Sequence, residues 1–306
     1  MDLCGYDITF ETNKYPNMTD PRQLEDQAEK KLKGGFLGLG KDREGASELF
    51  TKAANSHLIQ KHYLEAGKDF ERATKCIDGN DKFEIAQMYQ NAAKAYKNVS
   101  IADYLRCADE CIRLQKEGAQ YRMAAQRLKE TAETCEGHAD FDGAIARYEN
   151  AADLFQIDES NSNVNQCHAK LAELQSLHKQ EYRKAAETYE TLATSYLRVS
   201  LTRFNAKECL FKAGICRLLL QGEIDEVKEK IEWYESIDST FTANTPERKL
   251  LIGLCEALSE SQGLNEATEK FESEVSAYDS VHILDPWKTQ MLLRVKELLK
   301  EVDSSL

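Results

Sequence analysis

The segment Tyr63-x-x-Ala66-x-x-x-Phe70-x-x-Ala73 recurs as Phe141-x-x-Ala144-x-x-x-Tyr148-x-x-Ala151, and again as Tyr182-x-x-Ala185-x-x-x-Tyr189-x-x-Leu192. The second copy begins 78 residues after the first, and the third 41 after the second. One degenerate copy therefore belongs near residue 102, and Ile101 to Leu114 fits it, with Leu105, Ala108 and Ile112 as its apolar stripe. Spacings of three and four place these side chains on one face of a helix. A small residue beside a ring lets one helix lie close to the next while the ring fills the groove between them. A period of about 40 with two helices per unit marks a helical solenoid of the tetratricopeptide (TPR) kind.

The partner helix of each unit is also amphipathic: Ala46 to Ile59, Phe83 to Tyr96, Tyr121 to Cys135, Val164 to Leu177 and Ala206 to Leu219. Turn chemistry falls between them, at Asp78-Gly79-Asn80 and Glu136-Gly137-His138-Ala139-Asp140, while Ser160-Asn161-Ser162-Asn163 supplies side chains to cap a helix start. With 4 Pro and 15 Gly in 306 residues, few positions interrupt helix interiors. The predicted fold is all-α: a TPR-like solenoid of helical hairpins, arranged as a twisted sheet of antiparallel helices, over residues 21–220. It is followed by a C-terminal helical bundle over 221–306. Helices are predicted there at Glu223 to Ile237, Pro246 to Ser261 and Leu264 to Leu284, with Trp287 to Lys300 closing the array. Residues 1–20 match nothing in this pattern and read as a loose extension.

Residues 35 to 41, Gly-Phe-Leu-Gly-Leu-Gly-Lys, come one residue short of a phosphate-binding loop. The next position would need Ser or Thr to hold Mg²⁺, and it is Asp42. The charged helical pattern Leu24 to Lys33 precedes the segment where a buried strand would be required. Two readings remain. One is a glycine-jointed apolar tip, Phe36, Leu37 and Leu39, flanked by Lys30, Lys31, Lys33 and Lys41 and suited to an anionic membrane surface. The other is a loop tucked against the solenoid.

Catalytic chemistry is not legible. The six His form no H-E-x-x-H and no Cys/His ligand cluster, and a G-x-S-x-G elbow is missing. The 9 Cys include no C-x-x-C pair and read as small buried apolar residues. No signal-peptide pattern and no apolar run near the length of a spanning helix is present, which places the chain in the cytoplasm. The net charge of −13 is uneven: residues 221–306 hold 9 Lys+Arg against 19 Asp+Glu, and residues 1–220 hold 31 against 34. That balance argues against nucleic acid and suits a basic protein partner at the C-terminal end.

Taken together, the chain resembles the soluble NSF attachment proteins of the alpha/beta kind over about residues 22–306. The most specific matches are Asp158-Glu159-Ser160-Asn161-Ser162 with Asn165 and Cys167, and Tyr278-Asp279-Ser280 with Leu284-Asp285-Pro286-Trp287 and Met291 to Lys296. The resemblance implies an adaptor, not an enzyme, with no catalytic residue, cofactor or metal. Such an adaptor binds the assembled SNARE complex of syntaxin-type, synaptobrevin-type and related coiled coils. It recruits and stimulates the hexameric ATPase NSF for SNARE disassembly, working peripherally on membranes. Carried over residue by residue, it makes Phe36, Leu37 and Leu39 a membrane-attachment loop spanning 34–41. Lys97, Arg122, Arg127, Lys170, Arg203 and Lys207 become SNARE-facing cations. Glu256, Glu260, Asp303 and Leu306 become an ATPase-facing set. Two lysines that the family turns toward the SNARE bundle stand here as Gln126 and Gln166, with Arg122 and Arg127 beside the first and His168 and Lys170 near the second. A competing expectation from the repeat alone is a TPR-like co-chaperone scaffold whose basic groove grips a short acidic peptide.

Overall fold

The computed structural model describes residues 20–34, 40–220, 224–259 and 263–304, with side chains described through residue 300. The described residues form fourteen α-helices and one short 3-10 turn, with no strand. They divide into two compact units, one ending at Arg127 and one starting at Leu128.

The first unit begins with α1 (Pro21–Lys33), followed by α2 (Arg43–Ile59), α3 (Tyr63–Thr74), α4 (Lys82–Tyr96), α5 (Ile101–Glu117) and the start of α6 (Tyr121–Gly137). Side chains of Asp20, Asp42, Asp81 and Ser100 accept backbone N–H groups that α1, α2, α4 and α5 leave unpaired at their starts. Pro21 occupies the first turn of α1, where its missing N–H costs nothing. Neighbouring helices pack through Ala54, Phe70, Ala92, Tyr96, Tyr104 and Cys107, all buried. The degenerate repeat lies in α5, where Ala108 and Ile112 are buried and Leu105 half-buried. Tyr96 directs its hydroxyl to Glu71 Oε1 at 2.8 Å, so the buried ring keeps a polar partner.

Beneath α1 lies a charged cluster. Arg72 on α3 reaches Glu25 and Glu29 on α1, and its guanidinium sits 4.1 Å above the Phe50 ring. Burial, and then the negative charge of Glu25, push the Asp69 carboxyl up to about 6, against the pull of Arg72 and His57.

The second unit carries the rest of α6, then α7 (Phe141–Ile157), α8 (Asn161–Leu177), α9 (Tyr182–Leu197), the 3-10 turn Arg203–Asn205 and α10 (Ala206–Leu218). It ends with α11 (Ile224–Ile237), α12 (Pro246–Ser259), α13 (Leu264–Asp279) and α14 (Pro286–Ser304). One apolar core runs from Ala172 through α9 to α13 and into Leu299 of α14. The central rings of the sequence repeat, Phe70, Tyr148 and Tyr189, are all buried, each contributing about 1.5–3 kcal/mol. The leading ring of each copy sits at the rim: Phe141, for example, stacks on His178 with centroids 3.6 Å apart.

The expected closing helix is α14. Trp287 Nε1 donates to Ser176 Oγ at 3.0 Å, and Arg294 donates to the carbonyls of Ser176 and Leu177 at 2.7 and 2.6 Å. Those carbonyls end α8, so Arg294 supplies donors that the helix terminus lacks.

Two expectations change. The helix expected to reach Leu284 stops at Asp279. Asp285 is needed instead to cap α14 through Lys288 N–H at 2.8 Å, and Pro286 disfavours helix at the residue before it. Ser160 precedes α8, but its Oγ accepts Asn163 Nδ2 at 2.9 Å and no backbone N–H. The left-handed residue between α6 and α7 is Ala139, at φ 59°, two positions beyond Gly137. Lys61, Ala119, Glu159 and Gln180 repeat that conformation in the turns after α2, α5, α7 and α8. Each is held by a backbone bond spanning the turn, such as Asp140 N to Cys135 O at 2.9 Å.

Candidate functional site

The stem of the segment between α1 and α2 is closed by Asp42. Its N–H donates to Lys31 O at 3.2 Å, its Oδ1 accepts Gly45 N–H at 2.8 Å, and its Oδ2 pairs with Lys31 Nζ. The Lys31 ammonium, and next the Gly45 N–H, hold the Asp42 carboxyl below its usual range. A carboxylate therefore caps the helix N-terminus at the place where a phosphate loop would offer bare N–H groups. Lys30, Lys31 and Lys33 fill the last turn of α1, where the helix dipole favours cations. Phe36, Leu37 and Leu39 lie outside the described residues.

In the first unit, Lys97 ends α4 with its ammonium 5.8 Å from the Tyr104 ring centre. On α6, Arg122 and Gln126 are exposed and Arg127 is half-buried. In the second unit, Lys170 donates to Glu136 Oε1 at 2.8 Å, while Tyr148 OH donates to the other Glu136 oxygen at 3.1 Å. Burial alone would depress the Lys170 pKa, but the Glu136 bond and nearby carboxylates raise it, so it stays charged. His168 goes the other way: burial lowers its pKa, and it makes a poor substitute cation near Gln166. The cation at Gln166 is Lys129, whose Nζ donates to Gln166 Oε1 at 2.6 Å. Residues 37 apart in sequence meet there because α6 and α8 belong to successive hairpins, which no local motif announces.

Arg203 is exposed in the 3-10 turn, and Lys207 pairs with Glu247 at 3.2 Å. Beside Arg203, Leu201 and Phe204 are 84% and 75% exposed, which sets an apolar contact next to the charge. Two large apolar residues in a stretch between helices were the available sequence signal for it.

At the acidic end, Glu256 on α12 is exposed and pairs with Lys270 of α13 at 2.9 Å. Arg248 and Lys296 are likewise taken up by Glu235 and Glu272, at 3.0 and 2.7 Å. Local pairing thus consumes cations that were already outnumbered. Glu260 and Leu306 lie outside the described residues, and Asp303 belongs to α14 without a described side chain.

The eight cysteines described are free and buried. Burial pushes the thiols of Cys167 up to about 11 and of Cys107, Cys209 and Cys255 to about 12, so they pack as inert apolar groups. Among the described residues no helix is long and apolar enough to cross a membrane.

The model of the family described as soluble NSF attachment protein, SNAP, matches residues 19–300. The alpha-soluble NSF attachment protein of Vitis vinifera is 34% identical over 285 residues, covering 93% of this chain and 96% of the relative. The beta-soluble NSF attachment protein of Bos taurus is 32% identical, covering 91% and 93%. A probable vesicular-fusion protein sec17 homolog of Schizosaccharomyces pombe is 31% identical, covering 94% and 99%. With the family matched along nearly its whole length, the chain belongs to the soluble NSF attachment protein family.

Proposed function

We propose that this chain is the adaptor that docks on assembled SNARE complexes and brings the hexameric ATPase NSF to them for disassembly during vesicle fusion and transport. The observation that carries the reading is the family match across residues 19–300, with relatives covered over nine-tenths of their length. The family is one of adaptors, and ATP hydrolysis belongs to the partner. Three surfaces divide the work. Phe36, Leu37 and Leu39, between the lysine-rich end of α1 and the start of α2, engage the membrane surface, which makes the protein cytoplasmic and peripheral. Lys97, Arg122, Arg127, Lys170, Arg203 and Lys207 face the SNARE four-helix bundle, and Lys129 supplies the charge beside Gln166. Electrostatic complementarity of this sort sets register and on-rate. Glu256, Glu260, Asp303 and Leu306 face the ATPase.

The test is ATP-driven disassembly of a fluorescently labelled SNARE complex by NSF, with and without this chain. Disassembly that proceeds equally without it overturns the proposal. Leu306→Ala should leave SNARE binding intact and lower NSF stimulation; an unchanged ATPase rate removes Leu306 from the ATPase-facing set.

A further inference from the structure

Three side chains from three helices converge under α1: Glu25 of α1, His57 in the last turn of α2 and Asp69 of α3. His57 Nε2 lies 3.1 Å from Glu25 Oε1 and 3.7 Å from Asp69 Oδ2. Two ligands held about 2.0–2.1 Å from a tetrahedral Zn²⁺ lie roughly 3.3 Å from each other, so the two separations from the imidazole bracket the ideal, and all three ligand atoms lie within 4.8 Å of one another. Arg72 takes the opposite oxygens, Glu25 Oε2 at 3.2 Å and Asp69 Oδ1 at 3.0 Å. It thereby turns Glu25 Oε1 and Asp69 Oδ2 toward the imidazole, as outer-shell partners of a metal centre do. Asp69 is 3% exposed, and its Oδ2 has no hydrogen-bond partner. A buried carboxylate oxygen without a donor is costly. The hydrogen-bonded cluster holds three carboxylates, those of Glu25, Glu29 and Asp69, against the single guanidinium of Arg72.

We propose that Glu25, His57 and Asp69 form a binding site for a divalent transition metal, with Zn²⁺ the best fit, that fastens α1 to the first helical hairpin. The donor set of one imidazole nitrogen and two carboxylate oxygens suits Zn²⁺. It does not suit Mg²⁺ or Ca²⁺, which require about six or more oxygen ligands. Three protein ligands leave the fourth tetrahedral position to water. The proposal does not depend on the assignment of the membrane, SNARE and ATPase residues, none of which is Glu25, His57 or Asp69. Its place under α1 makes it a fastening for the helix that leads into the lysine-flanked segment.

The experiment is a calorimetric titration of the full, chelator-stripped chain with ZnCl₂ at neutral pH, paralleled by thermal unfolding. One saturable equivalent is expected, with a rise in unfolding temperature that MgCl₂ does not reproduce. His57→Gln and Asp69→Asn should each weaken binding at least by the about 10–100-fold that loss of an outer-shell partner costs. Glu25→Gln, on the less buried α1 side chain, reads the same loss where the two buried changes unfold the chain. His138→Gln, whose exposed ring bonds Thr134 O at 3.0 Å, should leave binding unchanged. No saturable Zn²⁺ binding to the wild-type chain, or binding that survives all three ligand changes, overturns the assignment.

Discussion

Arg217→Met should destabilise the second unit by about 3–5 kcal/mol. Arg217 on α10 donates Nε to Glu190 Oε1 at 2.6 Å and Nη2 to Oε2 at 3.0 Å, and Tyr234 OH of α11 gives Oε1 a third donor at 2.7 Å. The pair is buried, Arg217 at 4% and Glu190 at 8% exposure. Losing the guanidinium removes two bonds to a charged acceptor, worth about 1.5–3 kcal/mol each. The carboxylate keeps its desolvation cost, with Tyr234 OH and Lys230 at 3.9 Å as its remaining support. Glu190→Leu combined with Arg217→Met removes both charges together and should recover much of the loss, because apolar packing replaces an ion pair that gains little net energy when buried. The two tryptophans, Trp233 and Trp287, both belong to the second unit, so urea unfolding followed by tryptophan fluorescence reports on that unit alone. A cost for Arg217→Met below about 1 kcal/mol, the range of exposed pairs, would refute the argument. So would a double variant no more stable than the single one.

Phe36→Ser with Leu37→Ser should slow disassembly of liposome-anchored SNARE complexes and spare soluble ones; equal loss in both settings would assign the two residues a structural role. Ala139→Gly should stabilise the second unit by about 0.5–1 kcal/mol, because Ala139 holds φ 59° at a steric cost that glycine avoids; a lowered urea midpoint contradicts this. Hydrogen bonds from Lys288 outweigh burial and hold the Asp285 carboxyl below its ordinary value. A depressed folded-state pKa stabilises above the unfolded value, about 3.9, and the stabilisation is lost as pH falls through the folded pKa. The stability gap between wild type and Asp285→Asn should accordingly narrow below about pH 4, and a gap constant from pH 7 to 3 contradicts the assignment.

Helical hairpins were legible in the sequence because their signal is local. Three- and four-residue spacings place Ala66, Phe70 and Ala73 on one face whatever surrounds them, and recurrence at about 40 residues repeats the test. Turn conformations were less legible. Among the described residues, five non-glycine positions take left-handed backbone, and the hydrogen bonds across each turn select them. The end of α13 was misplaced because the apolar residues Val281 and Ile283 extend its pattern, yet they are 66% and 90% exposed.

The sequence alone determined the all-helical class, the unequal distribution of charge and the departure of Asp42 from a phosphate loop, since each is a property of residue type and short spacing. Tertiary structure decided which distant groups meet. It set Lys129 against Gln166, Arg294 against the end of α8, Arg217 against Glu190, and His57 between Glu25 and Asp69. Such pairs span 37 to 118 residues in the first two cases and follow no period. Burial then fixes what each charge can do, because a group removed from water must find its partner inside the fold.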